Sequence, residues 1–332
     1  MDWRAQSEGF IFHATVARTM KSGEGTQVIP QPEVSGASTA TERQWSYEKW
    51  FWNSDYLRWV LPELGGIGSG SRVLALGSGT GGLCRAIYPL ILPDGEIVGL
   101  DADPEAVKSG NEYDATHGFD RIKLVAGDPA DAVNLFGKER FDAVIDFFLL
   151  SNTKYPEGVR KVLAAARGAL KPGGSFVTAE EDLPTIISGA FEVPGVEEAQ
   201  MAWLRGLASG YAKSRGINVR IGPDVPTHVI EAGFRDLKIG TYSAPEWFPP
   251  FPDWQIQEIE NFVETFSPGN PEMERVRLTL RAGGLDDSLI DHLAAVLGKW
   301  WSSRLQEMKR GEMPLMNHQI MLVTFARKPF QH

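Results

Sequence analysis

Short apolar runs alternate with helix-like segments through the middle of this chain, and that rhythm constrains the fold more than any other feature. The runs read RVLAL, EIVGL, IKLVA, FDAVIDFFLL and GSFVTAE, and stretches such as PEAVKSGNEY and GVRKVLAAARGAL separate them. They lack the polar alternation of strands with one solvated face, so they suit strands buried on both faces. Strands that alternate with helices predict a doubly wound, parallel α/β sheet over roughly 65–182.

The segments that flank this core predict additional pieces. Residues 1–44 form a flexible N-terminal arm, because most of 20–44 is Gly, Ser, Thr, Pro and polar residues. Residues 45–64 carry aromatic residues at helical spacing, which predicts an amphipathic lid helix. The main domain is expected over 65–244 together with 315–328, and a helical cap over 245–314 is inserted before a last strand at 317–327.

Composition narrows the class of partner. A formal net charge of -10 argues against a nucleic-acid partner, because phosphate binding relies on clustered Lys and Arg. The single cysteine, Cys84, excludes a disulfide framework and favours a reducing cytoplasm. No apolar run approaches the length of a membrane span, and the first residues lack the pattern of a signal peptide. We therefore expect a cytoplasmic protein with a small-molecule partner and no membrane partner.

The first apolar run leads directly into a glycine-rich turn, LGSGTGG, at 76–82. Such a turn between a strand and a helix lets backbone N–H groups approach a ligand closely, and the helix dipole favours a negative group there. Gly77, Gly79 and Gly82 fit the dinucleotide fingerprint, whereas Gly77, Gly79 and Gly81 fit the adenosylmethionine version of the turn. Either match alone is a weak signal.

Three further stretches follow in order. GLDAD places Asp101 about twenty residues past the turn, where a carboxylate can accept hydrogen bonds from ribose hydroxyls. VAGD places Asp128 after the third run, where a carboxylate can accept from the exocyclic amine of adenine. LKPGG at 170–174 lies between a helix and the fifth run, and the nicotinamide interpretation does not predict it.

Together, VLALGSGTGG, GLDADPEAV, VAGDPAD, FDAVIDFFLL and LKPGGSFVTAEE resemble the class I S-adenosylmethionine-dependent methyltransferases. The later stretch IGPDVPTHVIEAGFRDLKIG is similar to the sixth-strand region of the ubiquinone/menaquinone-type and related small-molecule methyltransferases. The resemblance implies a Rossmann-like seven-stranded sheet of order 3-2-1-4-5-7-6, with the last strand antiparallel. It also implies S-adenosylmethionine as the cofactor.

By matching position, the resemblance assigns cofactor contacts to residues of four motifs. The methionine end would meet the loop, the ribose would meet Asp101, and the adenine would lie between Ala102 and the pair Asp128 and Pro129. The end of the fourth strand would lie under the sulfonium. The loop and strand residues concerned are Gly77, Ser78, Gly79, Thr80 and Gly81, and then Asp146, Phe147 and Phe148. One residue departs from the family pattern, because Ala75 stands where an acidic residue usually organises the loop.

The acceptor side is less defined. All ten tryptophans lie outside 60–202, which suggests an aromatic lid, with Trp50, Trp52 and Tyr56 as its candidates. Such a lid favours a small apolar or aromatic acceptor. The alternative is that these rings attach the added helices to the core.

Four residues are candidates for a general base, and each is open to a solvated or capping role instead: Glu180, Glu181, His228 and Tyr155. No set of His, Asp and Glu has metal-ligand spacing, so no metal is predicted.

The sequence thus predicts methyl transfer to an oxygen, nitrogen or carbon of a small acceptor, in specialised metabolism. Two alternatives stay open at this point. The methyltransferase fold supports a non-methylating use of the cofactor, such as an assisted cyclisation or rearrangement. The glycine turn also suits an NAD(P)-dependent oxidoreductase. The flanking helices are equally suited to a homodimer in which they cover one another's sites.

Overall fold

A computed structural model of the chain describes residues 54–182, 193–246, 253–267, 269–312 and 317–330. The arm predicted over 1–44 and the lid candidates Trp50 and Trp52 lie outside the described residues. Tyr56 lies within the first described helix, Ser54–Glu63, which falls inside the range 45–64 predicted for a lid helix. The role of this helix as a lid stays a prediction.

The strands form a single seven-stranded sheet of order β3-β2-β1-β4-β5-β7-β6. The ladders β3-β2, β2-β1, β1-β4 and β4-β5 are parallel, and β7 is antiparallel to β5. The predicted strand order and the antiparallel last strand are therefore confirmed. The strands are β1 Arg72–Leu76, β2 Glu96–Asp101, β3 Ile122–Ala126, β4 Phe141–Phe147, β5 Leu170–Glu181, β6 Arg235–Glu246 and β7 Asn317–Arg327.

Helices separate the parallel strands in sequence, as the rhythm of the sequence predicts. Within the described ranges they are α1 Ser54–Glu63, α2 Gly82–Ile91, α3 Pro104–His117, α4 Ala132–Phe136, α5 Glu157–Ala169, α6 Val196–Arg215, α7 Val225–Glu231, α8 Asp253–Thr265, α9 Pro271–Gly283 and α10 Asp287–Lys309. Helix α3 begins with local signals, since Asp103 accepts from the Glu105 N–H and Pro104 opens the first turn. None of these helices has the length and apolarity that crossing a bilayer would need.

The chain divides into two compact units. One contains most of the sheet and its helices, over the described residues 54–181, 221–242 and 321–330. The other contains α6 with the helices of the insertion, over the described parts of 182–220 and 243–320. The sequence predicts that α6 belongs to the main domain over 65–244. It packs instead with α8, α9 and α10 in one apolar cluster, which includes Trp203, Phe262, Leu280 and Leu297.

One face of the sheet is covered by α5 and α7. Leu74 and Leu76 of β1, Val144 of β4 and Phe176 of β5 share an apolar cluster with side chains of these two helices. Side chains alternate between the faces of a sheet with a period of two. Asp146, two residues after Val144, and Thr178 and Glu180, two and four residues after Phe176, therefore lie on this same face.

Candidate active site

The glycine turn follows β1 at the carboxyl end of the parallel strands and leads into α2. Gly77, Gly79 and Gly81 have φ values of 66°, 52° and 93°, in the left-handed region that favours glycine. A Cβ atom at Gly81 would lie 3.0 Å from Leu124 Cδ1. The turn thus exposes backbone where other residues would be strained, which is what close approach to a ligand requires.

Two further glycines let neighbouring elements pack tightly against the turn. A Cβ atom at Gly99 of β2 would lie 2.7 Å from Ser78 Oγ, and one at Gly110 of α3 would lie 2.4 Å from the Thr80 carbonyl oxygen. The hydroxyls of Ser78 and Thr80 are buried and have no hydrogen-bond partner among the residues that the structure describes. Buried hydroxyls normally have a partner, so these two fit a polar ligand at the turn.

Asp101, at the end of β2, organises the turn directly. Its Oδ2 accepts from the Gly79 N–H at 2.7 Å, and its Oδ1 accepts from the Asp103 N–H at 2.8 Å. Burial raises the pKa of this carboxyl, and the two backbone hydrogen bonds oppose that rise. Each carboxylate oxygen retains acceptor capacity for a ribose hydroxyl. Its predicted role at the ribose stays a prediction, while its contact with the turn was not predicted.

The residues predicted beside the adenine lie after β2 and β3. Ala102 directly follows Asp101 and is exposed. Asp128 is also exposed, and its Oδ1 accepts from the Ala130 N–H at 2.8 Å, which caps a short 3-10 turn at Pro129–Asp131. Pro129 is buried within that turn. The structure thus gives Asp128 a capping role, and its contact with adenine stays a prediction.

A buried ion pair beneath the turn was missed from the sequence. Arg85 of α2 has no exposed surface, and its Nε donates to Asp114 Oδ1 of α3 at 2.6 Å. Its Nη2 donates to the Thr80 carbonyl at 2.5 Å and, more weakly, to the Gly110 carbonyl at 3.3 Å. The available signal was an arginine among the apolar residues of α2, GLCRAIYPLI, because a buried cation needs a partner.

Apolar residues follow β4 at the same end of the sheet. Phe147, Phe148 and Leu149 are half-buried, and Phe148 has a φ of 62°. A Cβ atom at Gly77 would lie 3.1 Å from Leu149 Cδ1, so the Leu149 side chain lies against the first glycine of the turn. The structure therefore brings the predicted residues Phe147 and Phe148 to the edge where the glycine turn begins.

Asp146 and Glu180 lie near the ends of β4 and β5. Both are fully buried on the α5 and α7 face, and Asp146 Oδ1 accepts from Thr178 Oγ1 at 2.9 Å. The two oxygens of Glu180 accept from the N–H groups of Leu150 and Ser151, at 2.6 and 3.2 Å. Burial raises the pKa of both carboxyls, to about 7 for Asp146 and well above the usual value for Glu180.

Each oxygen of Glu180 thus accepts one backbone N–H, and the side chain has no exposed surface. Its predicted role as a general base stays a prediction. The predicted place of Asp146 beneath the sulfonium also stays a prediction, and the structure shows its carboxylate buried and bonded to Thr178. Sequence reasoning placed both residues at the right strand ends but could not tell which face of the sheet they occupy.

The other candidates for a general base are Glu181, Tyr155 and His228. Glu181 is buried on the face opposite Glu180, as the alternation along β5 requires. Tyr155, before α5, and His228, in α7, are brought together with ring centroids 5.5 Å apart in an edge-to-face contact. His228 Nδ1 also lies 3.6 Å from Glu231 Oε2. A catalytic role for each of the three stays a prediction.

The described residues hold no group of three or more His, Cys, Asp or Glu side chains arranged to bind a metal ion. They do fit S-adenosylmethionine. The glycine turn would offer the amino-acid end its backbone and the Ser78 and Thr80 hydroxyls, which lack a partner within the described ranges. Asp101 would offer carboxylate oxygens to the ribose.

Comparisons with known proteins agree with this arrangement. The family model described as a methyltransferase domain matches residues 67–211. The ubiquinone/menaquinone biosynthesis C-methyltransferase UbiE of Pseudomonas paraeruginosa is 32% identical over 183 residues, which cover 52% of this chain and 68% of the relative. UbiE of Pseudomonas aeruginosa strain LESB58 is 35% identical over 135 residues, which cover 39% of this chain and 50% of the relative.

Among solved structures, the YcgJ protein of Bacillus subtilis is 13% identical, with a TM-score of 0.49, and the match covers 84% of this chain and 100% of that one. The methyltransferase matches overturn the oxidoreductase alternative. The chain belongs to the class I S-adenosylmethionine-dependent methyltransferases, and its cofactor is S-adenosylmethionine.

Proposed function

We propose that this enzyme transfers the methyl group to a small apolar or aromatic acceptor in specialised metabolism. The observation that carries the proposal is the composition of the edge after β4, where Phe147, Phe148 and Leu149 are half-buried beside the glycine turn. Glu180, which contacts the turn that follows this segment, has no exposed surface and binds backbone N–H groups. An acceptor at this edge would meet apolar side chains, which suits an apolar molecule.

Methyl transfer mainly requires that the reacting atoms are aligned and that water is excluded from the site. The cofactor supplies a methyl group already activated by its positive sulfur, so the protein has to orient the acceptor and exclude water. Gly77, Gly79 and Gly81 would hold the amino-acid end, Asp101 the ribose, and Asp128 the adenine. If the acceptor must lose a proton, Tyr155 and His228 are the two candidates that the structure brings into contact.

The relatives support a carbon acceptor among the three classes of atom. Their names describe C-methyltransferases of ubiquinone and menaquinone biosynthesis. The unit formed by α6 and α8–α10 lies largely beyond the matched domain, and its core contains the ring cluster of Trp203, Phe262, Phe266, Trp300 and Trp301. We infer that this unit determines which acceptor is used.

The proposal also includes a cytoplasmic location, a small-molecule partner and a homodimer. A cytoplasmic location is supported by the single cysteine, which is buried and forms no disulfide. The net charge of -10 supports a small molecule rather than a nucleic acid as the partner. A homodimer stays a prediction, and sedimentation of the purified chain at several concentrations tests it.

The test is calorimetric titration with S-adenosylmethionine, S-adenosylhomocysteine and NADH, followed by transfer of a labelled methyl group to a panel of quinones, phenols and amines. Binding of the first two ligands alone, with label transferred to an apolar aromatic acceptor, is the expected result. Label transferred only to charged amines would refute the acceptor class. Conversion of an acceptor without consumption of S-adenosylmethionine would instead establish the non-methylating alternative.

A further inference from the structure

The segment after β4 adopts a conformation that its sequence does not favour. Phe148 has a φ of 62°, and a bulky residue in this left-handed region is strained. The Phe148 N–H donates to the Ala179 carbonyl at 2.9 Å, and the Phe148 carbonyl accepts from Asn152 Nδ2 at 2.7 Å. Such strain persists only where the surrounding structure fixes it, and it is common at functional sites.

Glu180 binds the backbone of the residues that follow Leu149. Its two oxygens accept from two successive backbone N–H groups, those of Leu150 at 2.6 Å and Ser151 at 3.2 Å. These residues open the short 3-10 turn Leu150–Asn152, whose first N–H groups have no partner within the turn. Because Leu150 and Ser151 are buried, their N–H groups depend on Glu180 for an acceptor.

The same segment touches the cofactor loop. A Cβ atom at Gly77 would lie 3.1 Å from Leu149 Cδ1 and 3.2 Å from Leu149 Cβ. Leu149 precedes the two N–H groups that Glu180 holds, so a shift of the 148–152 turn would move Leu149 relative to Gly77. One carboxylate is thereby connected through a single turn to the first residue of the glycine loop.

We propose that Glu180 is a positioning residue that fixes the 148–152 turn and thereby sets Leu149 against Gly77 and Phe148 at the acceptor edge. Cofactor binding and the order of the acceptor-facing turn are then coupled. The coupling is reciprocal: a bound cofactor should stabilise the turn, and loosening the turn should weaken cofactor binding. The inference rests on the proposed function for the identity of the cofactor and the acceptor edge.

The test compares the wild type with Glu180→Gln, Glu180→Leu and a matched control, Asp142→Asn. Gln keeps one oxygen for the two N–H groups, and Leu keeps the approximate volume with none. Asp142 also accepts a backbone N–H bond across strands, from Arg72 at 2.9 Å, but at the opposite end of the sheet. S-adenosylhomocysteine is the probe, with affinity measured by calorimetry and amide hydrogen exchange measured at Leu150 and Ser151.

We expect Glu180→Leu to weaken S-adenosylhomocysteine binding by about tenfold, the scale of one unmet buried N–H group. Glu180→Gln should be intermediate, and Asp142→Asn should stay close to the wild type. Exchange at Leu150 and Ser151 should be faster in both Glu180 variants, and the probe should slow it most in the wild type. If Glu180→Leu does not fold, Glu180→Gln decides by the same two measurements.

Equal affinity in a folded Glu180→Gln variant and the wild type, with unchanged exchange at the two amides, would overturn the proposal. Equal weakening by Asp142→Asn would also overturn it, because the effect would then be one of general stability. If the wild type binds neither S-adenosylmethionine nor S-adenosylhomocysteine, the proposed function fails. The positioning role is then decided by whether Glu180→Gln accelerates exchange at the two amides.

Discussion

Removing the buried pair beneath the glycine turn should separate the stability of the protein from its affinity for the cofactor. Arg85 has no exposed surface, and Asp114 is nearly as buried. Burial raises the pKa of Asp114, and the charge of Arg85 opposes that rise. Removing either partner leaves a buried charge without compensation, so Arg85→Met and Asp114→Leu should each lower the free energy of unfolding by about 3–5 kcal/mol.

The double variant should behave differently. With both charges gone, the remaining cost comes from the carbonyls of Thr80 and Gly110, which lose the donor that Arg85 provides. At about 1 kcal/mol for each carbonyl, the double variant should lose roughly 2 kcal/mol, far less than the sum of the single variants. The Thr80 carbonyl would still be unanchored. We therefore expect affinity for S-adenosylhomocysteine to stay about tenfold low despite the recovered stability.

Denaturant unfolding and calorimetry on the four proteins of this cycle measure both quantities. Lys328→Met is the matched control, because Lys328 is a buried cation that donates to the Leu170 carbonyl at 2.7 Å and pairs with Glu139. It lies at the opposite end of the sheet, so it should lower stability without changing affinity. Wild-type affinity in the double variant would refute the reasoning that Arg85 positions the turn. If the stability losses of the two single variants simply add in the double variant, the reasoning that the two charges stabilise each other is wrong.

Three further outcomes are expected. Asp101→Ala should weaken S-adenosylmethionine binding by about 1–3 kcal/mol in calorimetry, because the Gly79 N–H loses its acceptor; unchanged affinity would contradict this. Gly77→Val should abolish detectable binding in the same assay, since the position has a φ of 66° and its Cβ would press on Leu149. For Asp146, burial raises the pKa in the folded protein to about 7, above the value of about 4 for an unperturbed aspartate. Protonation of Asp146 therefore contributes its full stabilisation below about pH 4, and this contribution is lost as the pH rises through about 7. The unfolding free energy of the wild type minus that of Asp146→Asn should therefore fall between pH 4 and 8. A difference that stays constant over this range would show that the pKa of the Asp146 carboxyl is not raised in the folded protein.

The sequence was sufficient for the strand order because a parallel sheet leaves a strong pattern of buried runs and separating helices. Because these strands are buried on both sides, their sequences do not show which side chains point to which face of the sheet. TAEED, at the end of β5, contains no polar alternation, so nothing in it shows that Glu180 and Glu181 point to opposite sides. The 29-residue separation of Arg85 and Asp114 follows no local spacing rule either. The left-handed φ of Phe148 is fixed by contacts with β5, and residue type alone would argue against it.

The contacts of the glycine turn explain how the turn is held although Ala75 stands where the family usually has an acidic residue. Ala75 pairs with Gly99 in the sheet, and Ser78 Oγ lies 2.7 Å from the place of a Gly99 Cβ, so the serine side chain packs beside the position of the missing acid. The turn is held instead from its two sides, by Asp101 on the Gly79 N–H and by Arg85 on the Thr80 carbonyl. Both supports act on the backbone of the turn and exist without a ligand. The loop is therefore preorganised, and less ordering cost opposes cofactor binding than in a turn that its ligand must first fix.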